Sequence, residues 1–293
     1  MTGRNGRATV AVLASRVRRE EKWILAALER RSVPYEHLDT RVFWRFTDAV
    51  PPWPVVLNRE IGHARALHAA LTLESQGTRV VNPASAADVC GDKWRTTLAL
   101  RAAGLPTPRT ALALTPGAAL ETLDVLGYPA VIKPLSGSWG RMVARVRDRE
   151  SAEALMEYVT ALPAPRSHLV YVQELVDGTG RDIRALVVGG QVVGAAHRRG
   201  AGWRANVALG GRSEHCVVTP EIAKLAAAAA RAVGADIAGV DLIEDRDGGL
   251  NVLEVNDRVE FAGLQGTLGE RVHVADLIVE HLLDTVEREV EPC

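Results

Sequence analysis

Aromatic side chains make up only 4% of this 293-residue sequence, and its three cysteines, Cys90, Cys216 and Cys293, lie far apart. With no CxxC pair and an odd count, neither a disulfide framework nor a zinc knuckle is expected, and a reducing cytoplasm fits. An excess of either charge is missing too: 35 basic and 36 acidic groups leave −1, which removes any bulk attraction to nucleic acid or anionic lipid. Long apolar runs are absent. The N-terminal stretch offers only Ala8 to Ala14, interrupted by Thr9, too short for a signal peptide's apolar core or a membrane span. A soluble, cytoplasmic protein is expected, with no nucleic acid and no membrane among its partners. Nor does GxGxxG follow the first apolar run, where the turn reads ASRVRR, so a dinucleotide site is set aside.

What is present is the composition of a folded chain, 47% hydrophobic and 24% charged. At this length roughly 75% of the unfolded chain's surface can be hidden, in about two domains. Residues 8 to 14, then PYEHLD, PVVLNRE and TRVVNP, read as short strands alternating with helical stretches such as Ala64 to Glu74, the pattern of a parallel α/β unit over residues 1–88. From Asp88 the segment DVCGDKWRTTLALRAAG reads as one helix closed by Gly104. Beyond it PAVIKPL and RMVARV flank the turn SGSWG, the spacing of a hairpin. A mixed pattern continues through HLVYVQELV, RDIRALVVGG, QVVGAAHRR, a helix from Glu221 to Val233, AGVDLIED, GGLNVLEVN and a last helix from Val274 to Val286.

Only four basic residues are lysines, Lys22, Lys93, Lys133 and Lys224, against 31 arginines. Where arginine serves almost everywhere, a surviving lysine marks a place that needs a compact ammonium on a flexible stem. Lys133 ends an apolar strand just before a glycine turn, a natural phosphate ligand, whereas Lys22 and Lys224 sit in ordinary helical segments. The turn from Ser136 through Gly137, Ser138, Trp139 and Gly140 to Arg141 can bring backbone N–H groups close to a polyphosphate, although most glycine turns are merely turns. Glu254 and Asn256, two apart, share one strand face. If the hairpin through Gly248-Gly249 is in register, Asp241 joins them as a third hard oxygen ligand, as magnesium on nucleotide phosphates requires. The plainer alternative is an edge hairpin with solvated acids.

Taken in order, Lys93, Lys133 with its turn, Gln173 to Val176, Asp241, Glu254 and Asn256 resemble the ATP-grasp superfamily over nearly the whole chain. Within it, CGDKW, AGLPTPRT, VIKPLSGSWGR, QELV, GRDIRALVVGG and LEVNDRVEF resemble the LysX and RimK group of carboxylate–amine ligases, LysX-type chains above all. The resemblance implies an N-terminal preATP-grasp parallel-sheet domain (1–88), a central α+β subdomain with the glycine-rich loop (89–172) and a C-terminal α+β subdomain with the metal site (173–293). It implies ATP between the last two and two magnesium ions. Lys93, Lys133 and Ser136 to Gly140 would contact the phosphates, Gln173, Glu174, Leu175 and Val176 the adenine, and Asp182 the ribose. Arg184 would face the terminal phosphate, with Asp241, Glu254 and Asn256 on the metals.

Arg198 and Asn206, in HRRGAGWRANVALGG, match positions beside the amino-acid and phosphate sites, the alternative being a solvated loop. The implied reaction joins an amino acid, glutamate, α-aminoadipate or a relative, through its α-amino group to the C-terminal Glu carboxylate of a small acidic carrier protein. A homo-oligomer, dimer or tetramer, is expected. A RimK-like glutamate ligase for another carboxylate is the second reading, and a sensor without turnover the third. The chain departs from the LysX pattern after Glu260-Phe261, where Ala262 and Gly263 replace a basic residue and Asn. Arg258 is the candidate replacement for that charge, against a plain exposed arginine. The excess of Arg4, Arg7, Arg16, Arg18, Arg19, Lys22, Arg30 and Arg31 over Glu20, Glu21 and Glu29 predicts a positive face for an acidic carrier.

Overall fold

The structure, a computed structural model, describes residues 9–137, 142–200 and 211–290. Its first sheet is parallel, in the order β2-β1-β3-β4, from β1 (Val10–Leu13), β2 (Tyr35–Leu38), β3 (Val55–Asn58) and β4 (Arg79–Val81). Both faces of β1 and β3 are covered, so VAVL and VVLN are buried at every position and read as continuous apolar runs rather than alternating ones. From β1 the chain winds through α1 (Arg19–Arg30) to β2 on one side, then to β3 on the other. That reversal opens a crevice at the carboxyl ends of β1 and β3, bordered by Arg18 and Ile61 in the loops and by Glu20 and His63 in the first turns of the helices that follow. His63 begins α2 (His63–Ser75).

The single helix expected from Asp88 to Gly104 is two, α3 (Ala84–Cys90) and α4 (Lys93–Ala102). The break has a local cause: the Asp92 carboxylate accepts the N–H groups of Trp94 and Arg95 at 2.9 and 3.2 Å and caps a new helix. Gly91 is pressed against His63 so closely that a Cβ would lie 2.0 Å from the ring. Lys93 thereby becomes the first residue of α4. Gly104, at φ +68°, closes α4 as its sequence predicts.

An antiparallel sheet follows, ordered β5 (Thr110–Ala113), β8 (Val170–Glu174), β6 (Ala130–Lys133), β7 (Ala144–Val146), with α5 (Pro116–Leu126) and α6 (Arg149–Thr160) packed on it. β6 and β7 pair as the expected hairpin, Ala130 opposite Val146. The last sheet is also antiparallel, ordered β11 (Arg212–Cys216), β10 (Gln191–Arg199), β9 (Gly178–Val188), β12 (Ile237–Asp245), β13 (Leu250–Asn256). Around it lie α7 (Pro220–Ala232), α8 (Ala262–Leu268) and α9 (Val274–Val290); β11 and α8 have no counterpart in the sequence reading.

The two-residue period of β9 sets the architecture. Ile183, Ala185 and Val187 face the alanine-rich side of α7. On the other face Leu186 and Val188 enter a core shared with α1, α9, β1 and β3, which ties the first sheet to the last. Burying one such aliphatic side chain contributes about 1.5–3 kcal/mol. Asp182 and Arg184 continue that second face past the edge of the core, and it is there that the charged residues gather.

Candidate active site

Cross-strand register places five charged side chains side by side. Asp182 lies opposite Arg198, Arg184 opposite Asp241, and Asp241 opposite Glu254; directly opposed residues share a sheet face. The acidic hairpin is thus in register. Asn256 lies two residues past Glu254 and donates its amide to the Gly239 carbonyl at 3.4 Å, which leaves its oxygen for another partner. Arg198 grips Asp182 through two hydrogen bonds of 2.7 Å and reaches Asp241 at 2.9 Å. Arg184 also holds Asp241, by Nε and by Nη2 at 2.9 Å. Burial pushes the Asp241 carboxyl up, but these two guanidiniums outweigh it and hold the group below the usual carboxylate range. With Arg198 only 6% exposed and in strand β10, the solvated-loop alternative falls for that residue.

This face forms one wall of a cleft of about 780 Å³. Lys93, Lys133, Ser136, Gly137 and the segment Gln173 to Val176 line it from the other side, and Asp182, Arg184, Arg198, Asp241, Glu254, Asn256 and Arg258 complete it. Every candidate residue among those described therefore meets in one space; Asn206, Ser138, Trp139, Gly140 and Arg141 lie outside the described residues. Lys93 pairs with Glu254 at 3.2 Å and donates to the Gly137 carbonyl at 3.0 Å. Lys133 donates to Gln173 Oε1 at 2.7 Å. Burial pulls its ammonium down to about 8, against Glu254, which raises it. Lys22 and Lys224 are exposed, as ordinary helical lysines are.

Gln173 sits in an inner strand of its sheet, 1% exposed, and its side chain anchors Lys133. The Glu174 N–H is donated to the Arg109 carbonyl at 2.9 Å. Leu175 and Val176, past the end of β8, are thus the part of that segment released from the sheet.

The donors fit magnesium carried by nucleotide phosphates. Asp241, Glu254 and the Asn256 amide are hard oxygen ligands on one surface, although among the described residues no group of three His, Cys, Asp or Glu forms a metal cluster. Both carboxylates are held here by cations, Asp241 by Arg184 and Arg198 and Glu254 by Lys93. These are the same groups that phosphate oxygens would recruit.

The far end of the cleft contains residues the sequence reading did not assign to the site. Arg18, Glu20, Ile61, His63, Cys90, Glu260 and Gly263 line it. Burial, with Arg258 and Arg166 nearby, pushes the His63 imidazole below its ordinary range. Arg258 is not the exposed arginine of the plainer reading: its side chain is 16% exposed, and its Nη1 is buried without a hydrogen-bond partner. Beneath this end lies a buried ion pair, Arg59 to Glu21 at 3.0 Å, with side chains 3% and 1% exposed. The doublet Glu20-Glu21, buried despite its charge, was the available signal, but its partner is 38 residues away. Of the N-terminal cations, Arg18 turns inward while Arg16, Arg19 and Lys22 stay exposed.

Residues 10–89 match the LysX preATP-grasp domain and residues 90–282 the RimK-like ATP-grasp domain. The chain is 32% identical to the glutamate–LysW ligase ArgX of Sulfurisphaera tokodaii, over 95% of this chain and 99% of that one. It is 35% identical to the alpha-aminoadipate–LysW ligase LysX of Saccharolobus solfataricus, over 70% of this chain and 75% of that one. Among solved structures, the RimK domain ATP-grasp protein of Sphaerobacter thermophilus superposes with a TM-score of 0.78 at 27% identity, covering 94% of this chain and 100% of that one.

Proposed function

Since the chain belongs to the RimK-like ATP-grasp family, we propose that it is an ATP-dependent carboxylate–amine ligase that couples an amino acid to a small acidic carrier protein. The observation that carries this reading is the single charged sheet face, Asp182, Arg184, Arg198, Asp241 and Glu254, opposed across one cleft by Lys93 and Lys133. Relatives named for ligation of glutamate or alpha-aminoadipate to LysW support the substrate pair. The three units are taken as 1–88, 89–172 and 173–293, and the protein as a cytoplasmic dimer or tetramer. Among the described residues no helix is long and apolar enough to cross a membrane; solution mass tests the assembly.

Lys93, Lys133, Ser136 and Gly137 hold the phosphates, Leu175 and Val176 border the adenine, and Asp182 lies toward the ribose. Asp241, Glu254 and Asn256 would hold two magnesium ions, whose chemistry is to neutralise charge on the transferring phosphoryl group. The acceptor's terminal carboxylate oxygen attacks the γ-phosphorus, ADP leaves, and an acyl phosphate remains. Arg184 faces the transferred phosphoryl group. The amino acid, its α-carboxylate gripped by Arg198 and with Arg258 standing in for the basic residue lost after Phe261, attacks the acyl carbon through its amine nitrogen, losing a proton as phosphate departs. Positioning and fixed charge supply most of the acceleration.

The test is release of ADP and phosphate from Mg-ATP with acidic carrier proteins and a panel of amino acids. Release that needs both carrier and amino acid is expected. Release with a small-molecule carboxylate in place of the carrier would instead support the RimK-like alternative, and none with any pair despite nucleotide binding would defeat both.

A further inference from the structure

Past the phosphate-facing residues, the cleft runs on to the crevice at the carboxyl ends of β1 and β3, where Arg18, Glu20, Glu260 and Gly263 line it. Resting on the ligase reading above, we propose that Arg18 reads the side-chain carboxylate of the incoming amino acid, and that Glu260 occupies its place until substrate arrives.

The geometry leaves one edge of this guanidinium for a ligand. Arg18 donates from Nε and Nη2 to the two oxygens of Glu21, each at 3.0 Å. Glu21 is itself fixed from below by Arg59 at 3.0 Å, and both are buried. The plane of Arg18 is therefore set by a rigid base, and only Nη1 remains. It donates to Glu260 Oε1 at 2.8 Å. Glu260 is 48% exposed and lies 242 residues away in sequence, so the contact joins a fixed cation to a solvated, displaceable carboxylate. Exposed pairs of this kind are held weakly.

A carboxylate arriving on a bound amino acid meets an Nη1 whose direction Glu21 has already fixed, for a charge-assisted hydrogen bond. Glu20 faces the same cation, but one of its oxygens already accepts the Ala262 N–H at 3.2 Å. There is also room for the substrate's side chain. At Gly263 an added Cβ would meet nothing nearer than Ser213 Oγ at 3.5 Å, and Ser213 is the cross-strand neighbour of Arg198. The small residues Ala196, Ala262 and Gly263 line the same cleft as Arg198 and Arg18. The substrate class that fits is an α-amino acid with an acidic side chain.

The test is ligation kinetics with glutamate, 2-aminoadipate and glutamine as amine substrates. Arg18→Gln should raise KM for the acidic amino acids about tenfold or more and bring the glutamate-to-glutamine preference close to one, with Arg18→Lys recovering part of it. Glu260→Ala, which leaves Glu21 and Arg59 untouched, should lower KM for the acidic amino acids about threefold by removing the competitor. A wild-type protein that ligates no amino acid defeats the ligase reading itself. A wild-type protein that ligates but prefers an uncharged amino acid overturns this inference alone. So does an Arg18→Gln enzyme that keeps its preference, an unchanged KM in Glu260→Ala, or an effect confined to KM for the carrier, whose terminal carboxylate would then be the group that Arg18 meets.

Discussion

The Lys133 ammonium ties the nucleotide reading to pH. It is enclosed at the end of β6, with the neutral Gln173 oxygen at 2.7 Å and the Tyr171 ring 5.9 Å away. Burial lowers its pKa from 10.5 to about 8, Lys93 pushing the same way and Glu254 opposing. Only the protonated form pairs with phosphate. At pH 9 about one free enzyme in ten carries that proton, so the affinity for a magnesium–nucleotide complex should be about tenfold weaker than at pH 7. Stability runs the other way. The unfolded chain keeps the Lys133 proton up to about pH 10.4, so between about 8 and 10.5 it binds more protons than the folded one, and the free energy of unfolding rises with pH. The cost of burying this charge, about 3 kcal/mol from the size of the shift, is fully present below pH 8 and fades above it. Calorimetric titration with a non-hydrolysable magnesium–ATP analogue from about pH 7 to 9.5, with urea unfolding of the wild type and Lys133→Met, reads both effects. Affinity that stays level across that range, or a stability difference between the two proteins that ignores pH, would show that Lys133 is not the titrating phosphate ligand.

Glu254→Gln removes a charged oxygen ligand and leaves Lys93 unpaired, and should cut magnesium-dependent turnover by at least about a hundredfold with an unchanged circular dichroism spectrum; near-normal turnover would remove the metal assignment. Glu21→Gln strands Arg59 in the interior and should lower stability by about 3–5 kcal/mol in urea unfolding, and a loss below about 1 kcal/mol would show that the Arg59 charge does not depend on this partner. Reversing Arg16, Arg19 and Lys22 to Glu should weaken carrier binding most at low salt. Unchanged affinity across a salt series would reject that face as the docking surface.

Much of the fold was legible because burial imposes a period. VAVL and VVLN announce strands covered on both faces, and the two-residue step from Glu254 to Asn256 put both on one strand face before any pairing was known. The scarcity of lysine singled out Lys93 and Lys133, and both line the same cleft. Local sequence was silent where the partner is distant. Glu20 and Glu21 entered the sequence reading only as counter-charges to the N-terminal cations, yet Arg59 and the backbone at Ala262 draw them inward. Arg258 reads as exposed because its neighbours are polar, and only the closure of the cleft covers it. The break between α3 and α4 was written in Gly91-Asp92, a small residue followed by a capping acid, but lay inside an otherwise helical pattern. In the same way, the glycines of AGLQGTL concealed α8.

Everything above turns on whether this chain forms an amide between an amino acid and a carrier protein while consuming ATP. The intact mass of the acidic carrier after incubation with the enzyme, Mg-ATP and a single amino acid decides that. A gain equal to that amino acid less one water, on the C-terminal glutamate and absent when ATP is withheld, is the expected outcome. A carrier of unchanged mass, while the enzyme consumes ATP with the same amino acid, would be incompatible with the ligase.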